Sequence, residues 1–333
     1  MSYKKVGLLL MVLLVSLALT ACAGDGSDQQ GQSASEELKE VDVLLDWYPN
    51  AVHAFLYAAE EQGYFKEAGL KVNLITPAGT EDGIKLVAAN KADLAISYPQ
   101  QIIIARSEDI PVQSVGAIVR SSLNQLMVCQ DVGVETLKDL EGKKIGYPSF
   151  AIDKEAVKTM VSAAGGDPLQ VEFVDVGYEL MASIEAQRVD GIIGGYINHE
   201  KILLEKQGIG LNTFNPVDYD VPNHYELVFI ASDEAVANDY DTIQAFLGAA
   251  KKGFEYTKNN PDQALDFVLA VQNENFPLDP EIEQQSLEIL LPLMEDDTGE
   301  FLSQTEENWN QNIKWLEEKN LLTSKVDSQT VFH

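Results

Sequence analysis

Basic residues are scarce: 23 lysines and arginines stand against 53 aspartates and glutamates, a net charge of −30 over 333 residues. So acidic a surface repels phosphate backbones and anionic headgroups, which excludes nucleic-acid binding and disfavours basic-patch membrane contact. Anionic small molecules become poorer ligands than neutral or cationic ones. Cysteine is scarcer still, with only Cys22 and Cys129 present, so no multi-cysteine metal site can form. The four histidines, His53, His199, His224 and His333, form no His-Glu-x-x-His pair. Acidic calcium loops, glycine-rich phosphate loops and a Gly-x-Ser-x-Gly elbow are absent as well. Neither a catalytic residue nor a metal or cofactor is expected.

Long hydrophobic runs are limited to one, and it sits at the start. Lys4 and Lys5 precede an apolar stretch from Val6 to Leu19, the length of a signal-peptide core rather than of a bilayer span. It ends in Leu19-Thr20-Ala21-Cys22, which is similar to a bacterial lipobox. Cleavage is expected after residue 21, with Cys22 lipidated and no internal disulfide left possible. Residues 22–40, rich in Gly, Ser, Gln and acids, then read as a flexible tether. The expected location is the outer face of the cell membrane, anchored through lipid. Cys129, inside Leu126-Met127-Val128-Cys129, reads as a buried and inert thiol.

From Val41 the chain alternates short β-like runs with helical patterns, which indicates an α/β protein with parallel sheets flanked by helices. Strands are expected at 41–46, 71–75, 93–97, 112–119, 144–146, 170–176 and 191–194. Helices are expected at 52–61, 81–90, 99–106, 134–140, 153–164, 180–187 and 200–206. From Asp233 the pattern is almost wholly helical, with 3.6-residue apolar spacing at 242–258, 261–270, 280–294 and 306–318. Two αβ blocks of similar build are bracketed by extended stretches, Gln125–Gln130 and Glu226–Ala231. If these cross between domains, residues 41–125 plus 230–333 form one lobe and residues 126–229 the other. Two such crossings make a hinge with a central cleft, and a ligand there lies beyond the carboxyl ends of the strands.

Aromatic and polar residues recur at those ends. The first strand runs into Asp46-Trp47-Tyr48-Pro49-Asn50, the third into Ser97-Tyr98, and others into Tyr147-Pro148-Ser149-Phe150 and Tyr196-Ile197-Asn198-His199. Such a set offers flat faces to a planar ring and carboxylates to its amines. The competing role for each aromatic is packing helices onto the sheet. For Asp46 it is an Asx turn into Pro49, for His53 a satisfied place in the first helical turn, and for Glu226 a solvated strand start.

The stretch Leu44-Leu45-Asp46-Trp47-Tyr48-Pro49-Asn50 with His53, followed by Gly63-Tyr64-Phe65 and Gly69-Leu70, resembles the opening of the thiamin-pyrimidine solute-binding proteins of the NMT1/THI5-like family. Leu137 to Gly146, Ile193-Gly194-Gly195-Tyr196 with Asn198-His199-Glu200, and Tyr225-Glu226-Leu227-Val228 extend the resemblance. It implies a type II periplasmic-binding-protein fold and a monomer that hands a pyrimidine thiamin precursor to the permease and ATPase of an ABC importer. The implied ligand is formylaminopyrimidine or a close relative. Relatives of the same fold bind riboflavin, and fungal ones are pyrimidine synthases that use pyridoxal phosphate and a cysteine-rich motif this chain lacks. The resulting reading is closure of two lobes around a neutral ring. Trp47 and Tyr98 from one lobe and Tyr196 from the other frame it, and Asp46 and Glu226 accept from its amine. Asn50, His53, Tyr147, Ser149 and His199 are expected as further contacts.

Overall fold

The computed structural model describes residues 38–79, 82–177, 179–273 and 277–333. The apolar leader, Cys22 and the tether as far as residue 37 lie outside the described residues. Strand β1 (Lys39–Leu44) takes up the last two tether positions. It leads through a 3-10 turn at Ala51–His53 into α1 (Ala54–Glu61) and α2 (Tyr64–Glu67). There follow β2 (Leu70–Ile75), α3 (Asp82–Ala88), β3 (Leu94–Ser97), α4 (Pro99–Ser107) and β4 (Val112–Val119). The second block holds β5 (Asn124–Cys129), β6 (Lys144–Tyr147), α5 (Ala151–Ala163), β7 (Glu172–Asp175), α6 (Leu180–Glu185), β8 (Gly191–Tyr196), α7 (Glu200–Lys206) and β9 (Leu211–Phe214). The chain returns through β10 (Leu227–Ser232) and ends in α8 (Asp233–Asn238), α9 (Tyr240–Asn259), α10 (Pro261–Ala270), α11 (Pro280–Leu290) and α12 (Glu306–Glu318).

Local chemistry places the helix starts. Proline opens α4, α10 and α11, where its missing N–H costs nothing. Side chains of Ser232, Asp279 and Thr305 cap α8, α11 and α12 by accepting free first-turn N–H groups.

Two five-stranded sheets result, ordered β2-β1-β3-β10-β4 and β7-β6-β8-β5-β9. The expected parallel pairings occur within each block, β1 with β2 and β3, and β6 with β7 and β8. The sheets are nonetheless mixed. The two strands that follow the crossings, β5 and β10, insert antiparallel to their neighbours. Residues 120–123 carry the chain out of the first sheet and residues 221–226 bring it back. All of β10 from Leu227 onward pairs in the first sheet, and β5 pairs in the second from Asn124. This is the two-lobe α/β architecture that the alternation implied.

Both faces of the first sheet are covered, so its strands are apolar on both sides. Val43, Ile96 and Phe229 point toward Phe55 of α1 and Phe246 of α9. Leu44, Ala95 and Ile230 face Ile84, Ile102 and Trp309 on α3, α4 and α12. Phe229 meets Phe246 edge-on at 5.2 Å and Phe55 at 6.1 Å, knitting sheet to helices.

Two sequence expectations fail on local grounds, and one strand was not expected. The helix expected at 134–140 is only a 3-10 turn, Leu137–Leu140, because Thr136 and Asp139 form a capping box and Gly142, at φ 79°, ends it within one turn. The short strand β9 carries too few alternating residues to stand out. Cys129 is half-buried rather than buried, and desolvation and the nearby carboxylates of Asp131 and Asp190 raise its thiol pKa, which keeps it unreactive.

Helix α9 lies so close to α1 that only glycine fits at the crossing. A Cβ on Gly253 would stand 2.1 Å from the carbonyl oxygen of Phe55 and 2.8 Å from Cβ of Ala59. Gly253→Ala is therefore expected to cost about 1–3 kcal/mol through forced separation of the helices. Gly248→Ala, on the same helix with nothing within 4 Å, should instead stabilise by up to about 1 kcal/mol. Urea unfolding with an unchanged slope checks both.

Candidate functional site

The two sheets aim the same end at one cavity of about 620 Å³. Parallel strands β1, β3, β6 and β8 reach it with their carboxyl ends. Antiparallel β5 and β10 reach it with their first residues, because each has just crossed between lobes. Seven sequence-predicted residues line the cavity: Asp46, Trp47, Asn50, Tyr98, Tyr196, His199 and Glu226. Three do not.

The turn after β1 is held by its own side chains. Asn50 accepts from the Val52 N–H at 3.0 Å and donates to the Tyr48 carbonyl at 3.1 Å, so its amide is occupied locally. His53 is fully buried and absent from the lining, which corrects its expected role as a ligand contact. Its Nδ1 accepts from the Asn50 N–H at 3.2 Å, which fixes the proton on Nε2, and that N–H donates to Asp46 Oδ1 at 2.8 Å. His53 thus positions Asp46, whose other oxygen accepts from Tyr98 at 3.4 Å. Trp47, 40 % exposed, borders the cavity with its ring edge-on to Tyr48.

Two further corrections fall at the end of β6. Tyr147 is buried against Phe173, with the Lys154 ammonium 4.9 Å from its ring centre, and does not line the cavity. Ser149, at φ 66°, turns its hydroxyl to Asp175 at 2.7 Å. Pro148 and Phe150 on either side are the residues that reach the cavity. At the end of β6 the lining residues alternate with ones held elsewhere, whereas the run from Asp46 to Asn50 after β1 lines the cavity without interruption.

Glu226 is not a solvated strand start. Buried at 5 % exposure, its Oε2 accepts from the N–H groups of Leu123 at 2.6 Å and Asn124 at 3.2 Å, and from the Ser122 hydroxyl at 3.2 Å. Its Oε1 accepts from Tyr196 at 2.9 Å. One carboxylate thereby ties the outgoing crossing, the returning crossing and lobe 2. Burial, with Glu226 and Asp46 adding, holds both the Tyr98 and Tyr196 hydroxyls far above the usual phenol range, so both stay donors.

The sequence reading missed several lining groups. Asp153, in the first turn of α5, is 6 % exposed, and burial with Glu226 opposite pushes its pKa up to about 7 although Asn124 donates to it at 3.0 Å. An acid in a first helical turn reads as a helix-dipole residue, which hid it. Glu283 and Ser286 come from α11, nearly 240 residues from β1, beyond any local motif. Glu283 accepts from the Ala51 N–H at 2.7 Å, and burial raises its pKa. Ser286 accepts from Asn198 at 2.9 Å, and Lys206 on α7 bridges to Asp279 and Glu281 at 2.7 and 2.9 Å, so both lobes meet along this flank. Burial pulls His199 down, but the Glu200 hydrogen bond and the charges of Glu200 and Glu283 outweigh it and raise its pKa.

The lining is aromatic and acidic. Six carboxyl groups border it, and among the described residues that line it there is no lysine or arginine. Such a cavity lacks the guanidinium or ammonium that favours a sulfonate or phosphate, and suits a neutral or cationic ring that offers N–H donors. No group of metal ligands occurs among the described residues.

A family model described as NMT1/THI5 like matches residues 50–264. A formylaminopyrimidine-binding protein of Halalkalibacterium halodurans is 44 % identical over 332 residues, 99 % of this chain and 98 % of its own. A putative thiamine biosynthesis protein of Haemophilus influenzae is 35 % identical over 72 % of this chain and 76 % of its own. Among solved structures, the periplasmic aliphatic sulphonate binding protein of Escherichia coli superposes with a TM-score of 0.69 at 12 % identity, over 88 % of this chain and 91 % of that one. Its likeness extends to the fold, which is that of the periplasmic binding proteins.

Removing the Glu226 carboxylate takes the acceptor from two backbone N–H groups and the Tyr196 hydroxyl at the hinge, while Ser122 keeps the Asn124 carbonyl at 3.3 Å. Glu226→Ala is expected to destabilise by about 3 kcal/mol, whereas Glu226→Gln, which keeps an acceptor, should lose less. Chemical unfolding of both variants checks the ordering.

Proposed function

Because the chain belongs to the NMT1/THI5-like family, we propose that its cavity captures formylaminopyrimidine or a close thiamin-pyrimidine relative, as a binding protein and not as an enzyme. The observation that carries this reading is an aromatic, acidic cavity whose lining includes no lysine or arginine. A substituted aminopyrimidine is flat, uncharged and rich in N–H donors. Trp47 supplies a face for its ring. Asp46, held by His53 and Tyr98, and Glu226, held by the hinge, supply acceptors that are already oriented. The 44 % relative, named for binding that compound, supports the same ligand. A synthase working through pyridoxal phosphate would need a lysine and a phosphate cradle in the cavity, and its lining offers neither lysine nor arginine.

Capture proceeds by closure. Contacts made to both lobes at once favour the closed arrangement, since only differential affinity shifts such an equilibrium. Asp46 and Trp47 belong to one lobe, Tyr196 and Asp153 to the other, and a ring between them touches both. In this reading the protein hangs from the outer membrane face through lipidated Cys22 and passes its ligand to an ABC importer.

Titration calorimetry tests the ligand, using protein refolded to strip carried-over compound, against formylaminopyrimidine, aminomethylpyrimidine, thiamin and riboflavin. One-to-one binding of a pyrimidine with riboflavin silent is expected, and Trp47→Ala should weaken it about tenfold or more. Riboflavin binding alone, or none of the four, overturns the ligand and leaves the fold. For the anchor, Cys22→Ser should move the expressed protein from the detergent phase to the aqueous phase, and an unchanged distribution refutes lipidation there.

A further inference from the structure

The carboxyl groups around the cavity differ in how fully their oxygens are used. Asp46 has His53 and Tyr98, and Glu226 has four donors. Glu200 takes the Tyr196 N–H and His199, Glu283 takes the Ala51 N–H, and Asp279 takes Lys206 and the Glu281 N–H. Glu283 and Asp153 each keep one oxygen that no described donor reaches, and of the two it is Asp153 whose other oxygen is held by a side-chain amide. Its Oδ1 accepts from Asn124, and among the described residues no donor reaches Oδ2, although the side chain is more than nine-tenths buried and borders the cavity.

Its orientation is fixed from behind. The Gly194 backbone N–H donates to Asn124 Oδ1 at 2.7 Å, so the Asn124 amide can only turn its NH₂ toward Asp153. A Cβ on Gly194 would stand 2.7 Å from the Pro148 ring, and the residue sits at φ 97°, so glycine alone allows this approach. The chain therefore maintains a largely buried carboxyl group at the cavity wall with one oxygen that no described donor reaches, the arrangement a ligand donor completes.

We propose that Asp153 reads the amidine edge of the ligand, an amino group beside a ring nitrogen, by sharing one proton with it. This rests on the pyrimidine reading above and names the group that selects for it. Protonated Oδ2–H donates to the ring nitrogen, while Oδ1, with a lone pair to spare, accepts from the exocyclic amine. Moving the proton across gives carboxylate and pyrimidinium with the same two hydrogen bonds and the same total charge. Either way, the pair holds one proton. A ring without the adjacent amine and nitrogen leaves a buried oxygen unpaired and is rejected.

The surroundings keep that proton available. Burial and the Glu226 carboxylate at the start of β10 both oppose ionisation of Asp153, pushing its pKa up to about 7. On its own helix, Lys154 turns away over the Tyr147 ring. The 3-10 turn Pro216–Tyr219 packed against α5 carries Asp218, which is exposed. Neither β5 nor β8 brings a cation to it. Below pH 7 the carboxyl already holds the proton and affinity is flat until the free ring itself protonates. Above pH 7 the proton must come from solution, so affinity falls as pH rises.

The test is calorimetry of the full folded protein with formylaminopyrimidine and with 4-amino-2-methylpyrimidine between pH 6 and pH 9. The dissociation constant is expected to rise by about tenfold per pH unit once well above 7, and titrations at pH 8.5 in two buffers of different ionisation heat should show close to one proton taken up. Asp153→Asn offers an amide donor and acceptor that do not titrate, so its profile should flatten to within about threefold over that range. A flat wild-type profile with no proton uptake overturns the proposal without recourse to the variant. A slope that survives in folded Asp153→Asn also overturns it, by assigning the proton elsewhere, such as to His199. If no pyrimidine binds at any pH, the ligand reading fails. If pyrimidine binds tightly with no pH dependence, only the role of Asp153 falls.

Discussion

A single buried carboxylate holds the two lobes in register. Glu226 stands where the chain re-enters the first sheet, and the N–H groups it accepts belong to the segment that has just left that sheet. Backbone N–H groups at a crossing have no sheet neighbour to pair with, and in a buried hinge each would cost free energy unless a side chain supplied an acceptor. Glu226 supplies it and also takes the Tyr196 hydroxyl from the far lobe. The same residue therefore sets the hinge, one wall of the cavity and the electrostatic environment of Tyr98, Tyr196 and Asp153.

Concentrating acids in a cleft on an already acidic protein is costly, and the structure offsets the cost locally. His53 for Asp46, His199 for Glu200, the Ala51 N–H for Glu283 and Lys206 for Asp279 each pair one carboxylate with one donor. None of the partners that line the cavity is a lysine or arginine, and Lys206 stands outside the lining, so the interior gains oriented acceptors without a permanently charged ammonium or guanidinium. The fold is shared at low identity with a sulphonate-binding protein, while the lining of this cavity is acidic and carries no lysine or arginine.

Much of this was legible in the sequence. Periodicity located nearly every strand and helix, because runs such as residues 227–231 are apolar without interruption and helices α9 to α12 repeat at 3.6 residues. Strand-end clusters located Asp46, Trp47, Tyr98, Tyr196 and Glu226. Direction within a cluster was not legible: Tyr147 and Ser149 point away while Pro148 and Phe150 point in, which depends on where the strand stops. The task of His53 was equally hidden, since one ring can serve a ligand or a neighbour. Contributions from α11 were out of reach, because nothing local in Glu283 or Ser286 records that α11 packs beside the turn at Ala51. Antiparallel insertion of β5 and β10 was missed for a similar reason, as strand direction follows from the route of the chain and not from composition.

Lobe 2 is one uninterrupted stretch of chain inserted between β4 and β10, and its two ends lie side by side, with Glu226 bonded to Val119 through its N–H and to Leu123 through its carboxylate. Segments whose ends meet this way can be replaced whole with little disturbance to the host. A recombination event spanning Asn124 to Phe214 would exchange Asp153, Tyr196 and His199 together, half of the recognition surface, while Asp46, Trp47, Tyr98 and the helical tail stay in place. The architecture thus lets the cavity wall be inherited in halves, with the host lobe keeping Trp47 and Tyr98 and the inserted lobe free to change what lies across the cavity from them.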